Sequence, residues 1–411
     1  MTRKRLLDRF LRYVQIDTTA GSPGKEYPSS KGQLALGKIL ADEMRTFGIA
    51  NAEQDEFGVI YAEIPGNVPD APAVAFCAHM DTSPETTGAG VKPQVIQNYE
   101  GGDIVLPGDT SKVIRESENP ELADLHGCTL ITTDGTTLLG ADDKAGIAVI
   151  LEMAERLLAD PQIAHGPVKI LLTCDEEIGH GVDHVDLKRL AADVCYTLDG
   201  GGADEINAET FSADQAVVSV HGVNIHPSIA KGRMINALRA AGMFLDRLPR
   251  DMMSPETTDG RHGFIHPVHV SGGVAEVEIQ LILRSFETSE LESQAELLHS
   301  TARSVEADLP GSKLTVVTSP QYRNMREGLV KEPRALEYAI EAHKRLSRTP
   351  KQELIRGGTD GSILTEQGLP TPNLSTGQHN PHSPLEWACL DEMEKAVEVL
   401  ISLLGVWAEK K

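Results

Sequence analysis

The sequence predicts an α/β fold: a mixed, largely parallel sheet flanked by helices, carrying a smaller inserted domain. Three observations lead there. Short apolar runs such as Ala73–Ala78, Val168–Leu172 and Val194–Leu198 have the length of buried strands. Segments with helical spacing of apolar residues lie between them, and strands that alternate with helices build parallel sheets. At 411 residues the chain also exceeds one ordinary core.

Taken in order, Leu6, Leu7, Phe10, Leu11 and Val14 recur as on an amphipathic helix. Asp8, Arg9 and Arg12 interrupt what would have to be the apolar segment of a signal peptide, so that reading is rejected. Residues 34–47 and Gly146–Leu158 read as helices, and Val397–Val406 as part of a closing helix. The middle differs. Gln215–Val223 alternates as a strand, Met234–Leu248 is helical, and Phe264–Val270 and Val274–Arg284 are strands. A helix over Glu290–Leu309 and a strand at Leu314–Thr318 follow. This βαββαβ order spans about a hundred residues, enough for a separate domain. Residues 212–322 are therefore expected as an insertion between the two parts of a catalytic domain, 1–211 and 323–411.

A formal charge of −23 argues against polyanionic partners, because phosphate binding needs clustered Lys and Arg. No run of eighteen apolar residues suggests a membrane span. The five cysteines are scattered and form no C-x-x-C pair, so neither a disulfide framework nor a cysteine zinc knuckle is indicated. A reducing cytoplasm is the expected location. The sequence leaves open a homodimer.

Five motifs lie near strand ends: His79-Met80-Asp81, Gly140-Ala141-Asp142-Asp143-Lys144, Asp175-Glu176-Glu177, Asp199 with three glycines, and a late loop with His379 and His382. Singly, each has an ordinary explanation. His-x-Asp can be a capped or core histidine, Asp-Asp-Lys favours a helix start, and Asp-Glu-Glu suits a solvated turn. Ligands of open α/β sheets bind beyond the carboxyl ends of strands, so one sheet edge can collect all five. Zinc accepts imidazole nitrogen and carboxylate oxygen, and two ions about 3.5–4 Å apart need a bridging carboxylate. Glu176 and Glu177 diverge on a regular strand, but a turn lets one bind metal while the other reaches water. Asp81 shares a face with His79 if the strand continues, where it can orient the ring.

These motifs, with Arg356-Gly357-Gly358-Thr359-Asp360-Gly361 and ligand-free stretches such as Gln97-Asn98-Tyr99-Glu100-Gly101-Gly102-Asp103, resemble the tripeptide aminopeptidases of a zinc exopeptidase family. That family includes carboxypeptidase G and aminoacylase. The similarity extends over essentially the whole chain. It implies two zinc ions per subunit, with Asp142 bridging, His79 and Asp199 completing one site, and Glu177 and His382 the other. It further implies Glu176 as general base and Asp81 as the partner of His79. His382 is preferred over His379 because Glu386 follows it at the family's spacing. The insertion resembles the family's lid, on which His226 matches a histidine that approaches the reacting carbonyl and Arg284 a ligand of the substrate carboxylate. His226 also reads as a turn histidine and Arg284 as one of a solvated, alternating strand face; the role of Arg356 stays open. The implied activity is removal of the N-terminal residue from short peptides. Its rivals are a deacylase or carboxypeptidase on the same scaffold, and a metal-stabilised peptide-binding protein without catalysis.

Overall fold

A computed structural model describes residues 2–22, 24 and 26–409. The chain divides into two compact units. One comprises Met1–Ala208, Gly328–Glu353 and Thr359–Lys411, the other Glu209–Glu327 and Leu354–Gly358.

The larger unit is built on an 11-stranded sheet. Its centre is parallel: Val74–His79 lies between Val168–Thr173 and Val194–Gly201, and the latter also pairs with Asn373–His379. Antiparallel strands extend both sides, Ile60–Ile64 on one and Trp387–Cys389, Leu130–Thr132 and Gln94–Ile96 on the other. The sheet is therefore mixed, with its four central strands paired in parallel. Every residue of Val74–His79 and Val168–Thr173 is buried, which explains their largely apolar composition.

The helix Ala141–Ala159 packs against these central strands and is buried along most of its length. Small residues permit the close approach. A Cβ on Gly146 would lie 2.1 Å from the Leu198 carbonyl oxygen, so only glycine fits beneath the strand that carries Asp199. The amphipathic helix Thr2–Val14 covers Ala141–Ala159 through Leu6, Phe10 and Val14. The two helices also share charge: the buried Glu152 carboxylate receives Arg9 at 3.0 Å, Arg5 at 2.8 Å and Arg156 at 3.0 Å.

In the smaller unit, four antiparallel strands lie in the order Phe264–Gly272, Glu276–Ser285, Ser212–His221, Lys313–Tyr322. The helices Ala237–Asp246 and Thr288–Asp308 cover one face, packing on Ala216, Val218, Val220, Val277, Ile279 and Leu281. Glu276, Glu278, Gln280 and Arg284 alternate with those apolar residues and point away from that core.

Glu152→Ala leaves the buried Arg9 guanidinium with Glu43 and Glu155 only. The expected loss is about 3 kcal/mol, the low end for breaking a buried pair, because those two partners remain. Thermal and denaturant midpoints should both fall.

Candidate metal centre

The central strands and their connections deliver the charged side chains. His79 is the last residue of its strand. Glu176 and Glu177 begin a single 3-10 turn just past Val168–Thr173, after Asp175 at φ 62°. Asp199 lies within Val194–Gly201 rather than beyond it, and His379 is the last residue of its strand rather than part of the following loop. His382 lies in that loop. Asp142 sits where the helix Ala141–Ala159 has not settled into helical geometry, at φ −80° and ψ 103°. Gly140 before it has φ 79°, a left-handed turn that a side chain would strain.

Asp142 stands between two imidazoles. Its Oδ1 is 3.0 Å from His79 Nε2, and its Oδ2 is 3.4 Å from His382 Nε2. His79 Nε2 is also 3.9 Å from Asp199 Oδ1, while His382 Nε2 is 2.9 Å from Glu177 Oε2. His79, Asp142 and Glu177 each offer a ligand atom within 4.8 Å of the others. His79, Asp143 and Asp199 form a second such group. Asp143 is not among the ligands expected from the sequence. One of its oxygens receives the His79 backbone N–H at 3.3 Å and the other that of Gly146 at 3.2 Å, so it ties the strand end to the helix start.

Other carboxylates brace the cluster through backbone N–H groups. Asp81 accepts from Glu176 N at 3.1 Å and Glu177 N at 3.0 Å, and its Oδ1 is 3.4 Å from His79 Nδ1. The strand stops at His79, so Asp81 reaches the ring from a loop and not by strand alternation. Its backbone carbonyl lies 3.1 Å from the same Nδ1. A proton held there leaves Nε2 as a lone-pair donor facing Asp142. Glu386 is the larger surprise: its buried carboxylate accepts N–H groups from Leu139 at 2.7 Å, Gly140 at 2.8 Å and Asp142 at 3.0 Å. Burial pushes its carboxyl up to about 7 against the pull of those donors. Its spacing from His382 is readable in the chain, but nothing local reveals that it brackets a segment 244 residues away. Beneath the glutamate turn, Asp360 accepts from Thr173 Oγ1 at 2.6 Å.

The electrostatics are those of an anion cluster short of positive charge. Burial drives the carboxyls of Asp143, Glu176, Glu177 and Asp199 above the ordinary range. For Asp142 burial also raises the pKa, but the bonds to His382 and His79 outweigh it and hold the carboxyl low. Those contacts in turn raise His382 to about 11, with Asp142 the largest cause and Glu177 next. Burial alone would lower His79, but Asp142 and Asp81 outweigh it and raise the imidazole above its ordinary value. Two imidazoles cannot neutralise this many carboxylates. Glu177 Oε1 is buried without a hydrogen-bond partner among the described residues. Oxygen and imidazole donors without sulfur, around one carboxylate whose two oxygens face opposite partners, fit a pair of divalent cations. His79, Asp142 and Asp199 would hold one, and Glu177, Asp142 and His382 the other.

His379 bonds Glu392 at 2.7 Å and stacks on Trp387 at 3.7 Å, so its ring is engaged away from Asp142. His226 and Arg284 belong to the smaller unit. The exposed His226 accepts through Nδ1 from the Ser228 N–H at 3.3 Å. Arg284 donates to the carbonyls of Leu283 at 2.9 Å and Asp214 at 3.3 Å. Arg356 donates to the carbonyls of Gly260, His262 and Thr258 and lies over the rings of Phe211 and Phe264, which gives it a bracing role.

Residues 140–405 match the profile of peptidase family M20/M25/M40. The chain belongs to this family. A peptidase T of Caldanaerobacter subterraneus subsp. tengcongensis is 42% identical over 407 residues, covering 99% of each chain. Among solved structures of the same fold, a tripeptidase from Staphylococcus aureus has a TM-score of 0.78 at 22% identity, covering 99% of both chains. A dinuclear metal binding M20 peptidase from Bacillus subtilis has a TM-score of 0.68 at 15% identity, covering 100% of this chain and 99% of its own. The family profile begins at Gly140, so it includes Asp142, Glu177, Asp199 and His382, while His79 lies in the part covered by the full-length relative.

Glu386→Gln keeps the shape but replaces one of two acceptor oxygens by a donor that opposes the loop N–H groups. Metal affinity should fall about 10–100-fold, as for other changes behind a ligand, with the fold retained. Isothermal titration of metal-free protein with zinc, beside circular dichroism, measures both.

Proposed function

We propose that the chain is a two-zinc aminopeptidase that removes the N-terminal residue from tripeptides. The observation that carries this reading is the placement of Asp142, one oxygen toward His79 and the other toward His382, with Asp199 and Glu177 beside those rings. Membership of a peptidase family and the full-length likeness to a peptidase T support it. A cytoplasmic location suits five cysteines that are all free. Among the described residues, no helix is long and apolar enough to cross a membrane.

When bound, the two ions supply Lewis acidity: they polarise the scissile carbonyl and lower the pKa of water from about 15.7 toward about 7. The protein's own groups do the rest. Asp142, His79, Asp199, Glu177 and His382 fix the position at which water meets the carbonyl carbon. Glu176 accepts the water proton as the C–O bond forms, then delivers it to the amine as the C–N bond breaks. Such proton transfer is worth typically about 10²–10⁴-fold. Asp81 fixes the turn that carries Glu176 and Glu177 by gripping both backbone N–H groups. The products are a free amino acid and a dipeptide.

The smaller unit is assigned the role of lid, with His226 near the reacting carbonyl and Arg284 on the terminal carboxylate. An extended residue spans about 3.3–3.6 Å, so a tripeptide holds its amine and carboxylate at a nearly fixed separation. Two anchors, the metal centre and Arg284, then act as a ruler.

Zinc-loaded protein should cleave a tripeptide and spare both a dipeptide and an N-acetylated tripeptide. Preference for the acetylated substrate would instead make it a deacylase, and inactivity on all three a binding protein. In the same assay Arg284→Ala should lower kcat/KM for the tripeptide by about 10–100-fold, the loss of a charged hydrogen bond, and much less for the tripeptide amide.

The adjacent glutamates separate by their failures. Glu176→Gln should lower kcat about 10²–10⁴-fold while metal content by elemental analysis stays at the wild-type level. Glu177→Gln should release metal first. The opposite pattern would exchange their roles.

A further inference from the structure

A second donor cluster lies apart from the carboxylate centre. Cys389 ends the strand Trp387–Cys389 and immediately precedes the helix Leu390–Glu409. It pairs in register with Leu130, and Cys128 lies two residues before Leu130, in the segment that leads into that strand. Asp391 completes the group: its carboxylate, the Cys128 sulfur and the Cys389 sulfur lie within 4.8 Å of one another. Among the described residues this is the one such donor group that contains sulfur.

We propose that Cys128, Cys389 and Asp391 form a third cation site, selective for a thiophilic divalent metal such as zinc, cadmium or cobalt.

Three features favour an ion over the alternatives. Zinc–thiolate bonds of about 2.3 Å put two sulfurs of a tetrahedral site about 3.8 Å apart, inside the observed spacing. Both cysteines are free thiols, so their sulfurs remain open to a metal. The donors are also held in place. The Leu390 N–H donates to the Thr129 carbonyl at 2.9 Å, while Asp391 Oδ2 accepts the Thr129 N–H at 2.8 Å and an Arg3 N–H at 2.9 Å. Cys389 is buried and Cys128 half-buried, so an ion enters from the Cys128 side, where solvent supplies the fourth position. Burial keeps both thiols protonated without metal. Binding therefore forms two sulfur–metal bonds and releases two protons to solvent, with no change of oxidation state.

The test is a titration of metal-free, full-length protein with cobalt(II), in a phosphine reductant that prevents thiol oxidation. The carboxylate centre contains no sulfur, so its ions give no thiolate-to-cobalt charge-transfer absorption. Wild type should show that near-ultraviolet band and bind about three ions per chain. Cys128→Ser and Cys389→Ser should each abolish the band and bind about two. Asp142→Ala should lose ions from the carboxylate centre and keep the band, which separates failure of this site from failure of the dinuclear one. Absence of the band in saturated wild type, or its persistence in Cys128→Ser, overturns the proposal.

Discussion

The site depends on one electrostatic constraint: the carboxylates of Asp142, Asp143, Glu176, Glu177 and Asp199 are gathered where burial disfavours their charge, with His79 and His382 against them. A fold driven only by apolar burial would not make this site, because each charge taken from water costs free energy unless it is paired or neutralised. The parallel strands make the gathering unavoidable. Val74–His79, Val168–Thr173 and Val194–Gly201 run the same way and release their next residues at one edge. Their buried apolar stems supply the stability that the polar ends withdraw.

The carboxylates divide by what their oxygens face. Asp81, Asp143 and Glu386 accept from two or three backbone N–H groups apiece, Asp81 while also facing His79 Nδ1, and so act as anchors that fix chain segments. Asp142 and Glu177 face the imidazole Nε2 atoms, and Glu177 retains a buried oxygen with no partner among the described residues. This division separates carboxylates that fix backbone from those that face imidazole Nε2 atoms. It also explains why the anchors are carboxylates: a charged acceptor grips several N–H groups more strongly than an amide would.

The strands and helices are legible in the sequence where their periodicity is strong. Val168–Leu172 lies within the observed strand Val168–Thr173, and Glu290–Leu309 overlaps the helix Thr288–Asp308. Boundaries are less so: Asp199 and His379 fall inside strands because the sheet continues through polar and glycine residues that carry no apolar signal. Strands of two or three residues, such as Leu130–Thr132 and Trp387–Cys389, are too short for any pattern. Of the site, residue types at strand ends can be read directly. The anchoring role of Glu386 cannot, since a single glutamate 244 residues from its partner has no local signature.

The choice between His379 and His382 shows what sequence proximity conceals. Three residues apart, both are histidines in a polar segment, and composition cannot rank them. In the structure His379 lies flat against Trp387 and bonds Glu392, with Glu121 on its other nitrogen at 3.6 Å. Burial alone would lower its pKa, but Glu121 and Glu392 at its two ring nitrogens raise it, and both nitrogens are engaged there. His382 sits beyond the strand end at φ 62°, a conformation that turns the chain back, and Thr86 Oγ1 donates to its carbonyl at 2.8 Å. That turn carries its Nε2 to Asp142 and Glu177. The same stacked His379–Trp387 pair closes the register between Asn373–His379 and Trp387–Cys389. His379 therefore has a structural role, holding the start of the loop from which His382 reaches Asp142 and Glu177.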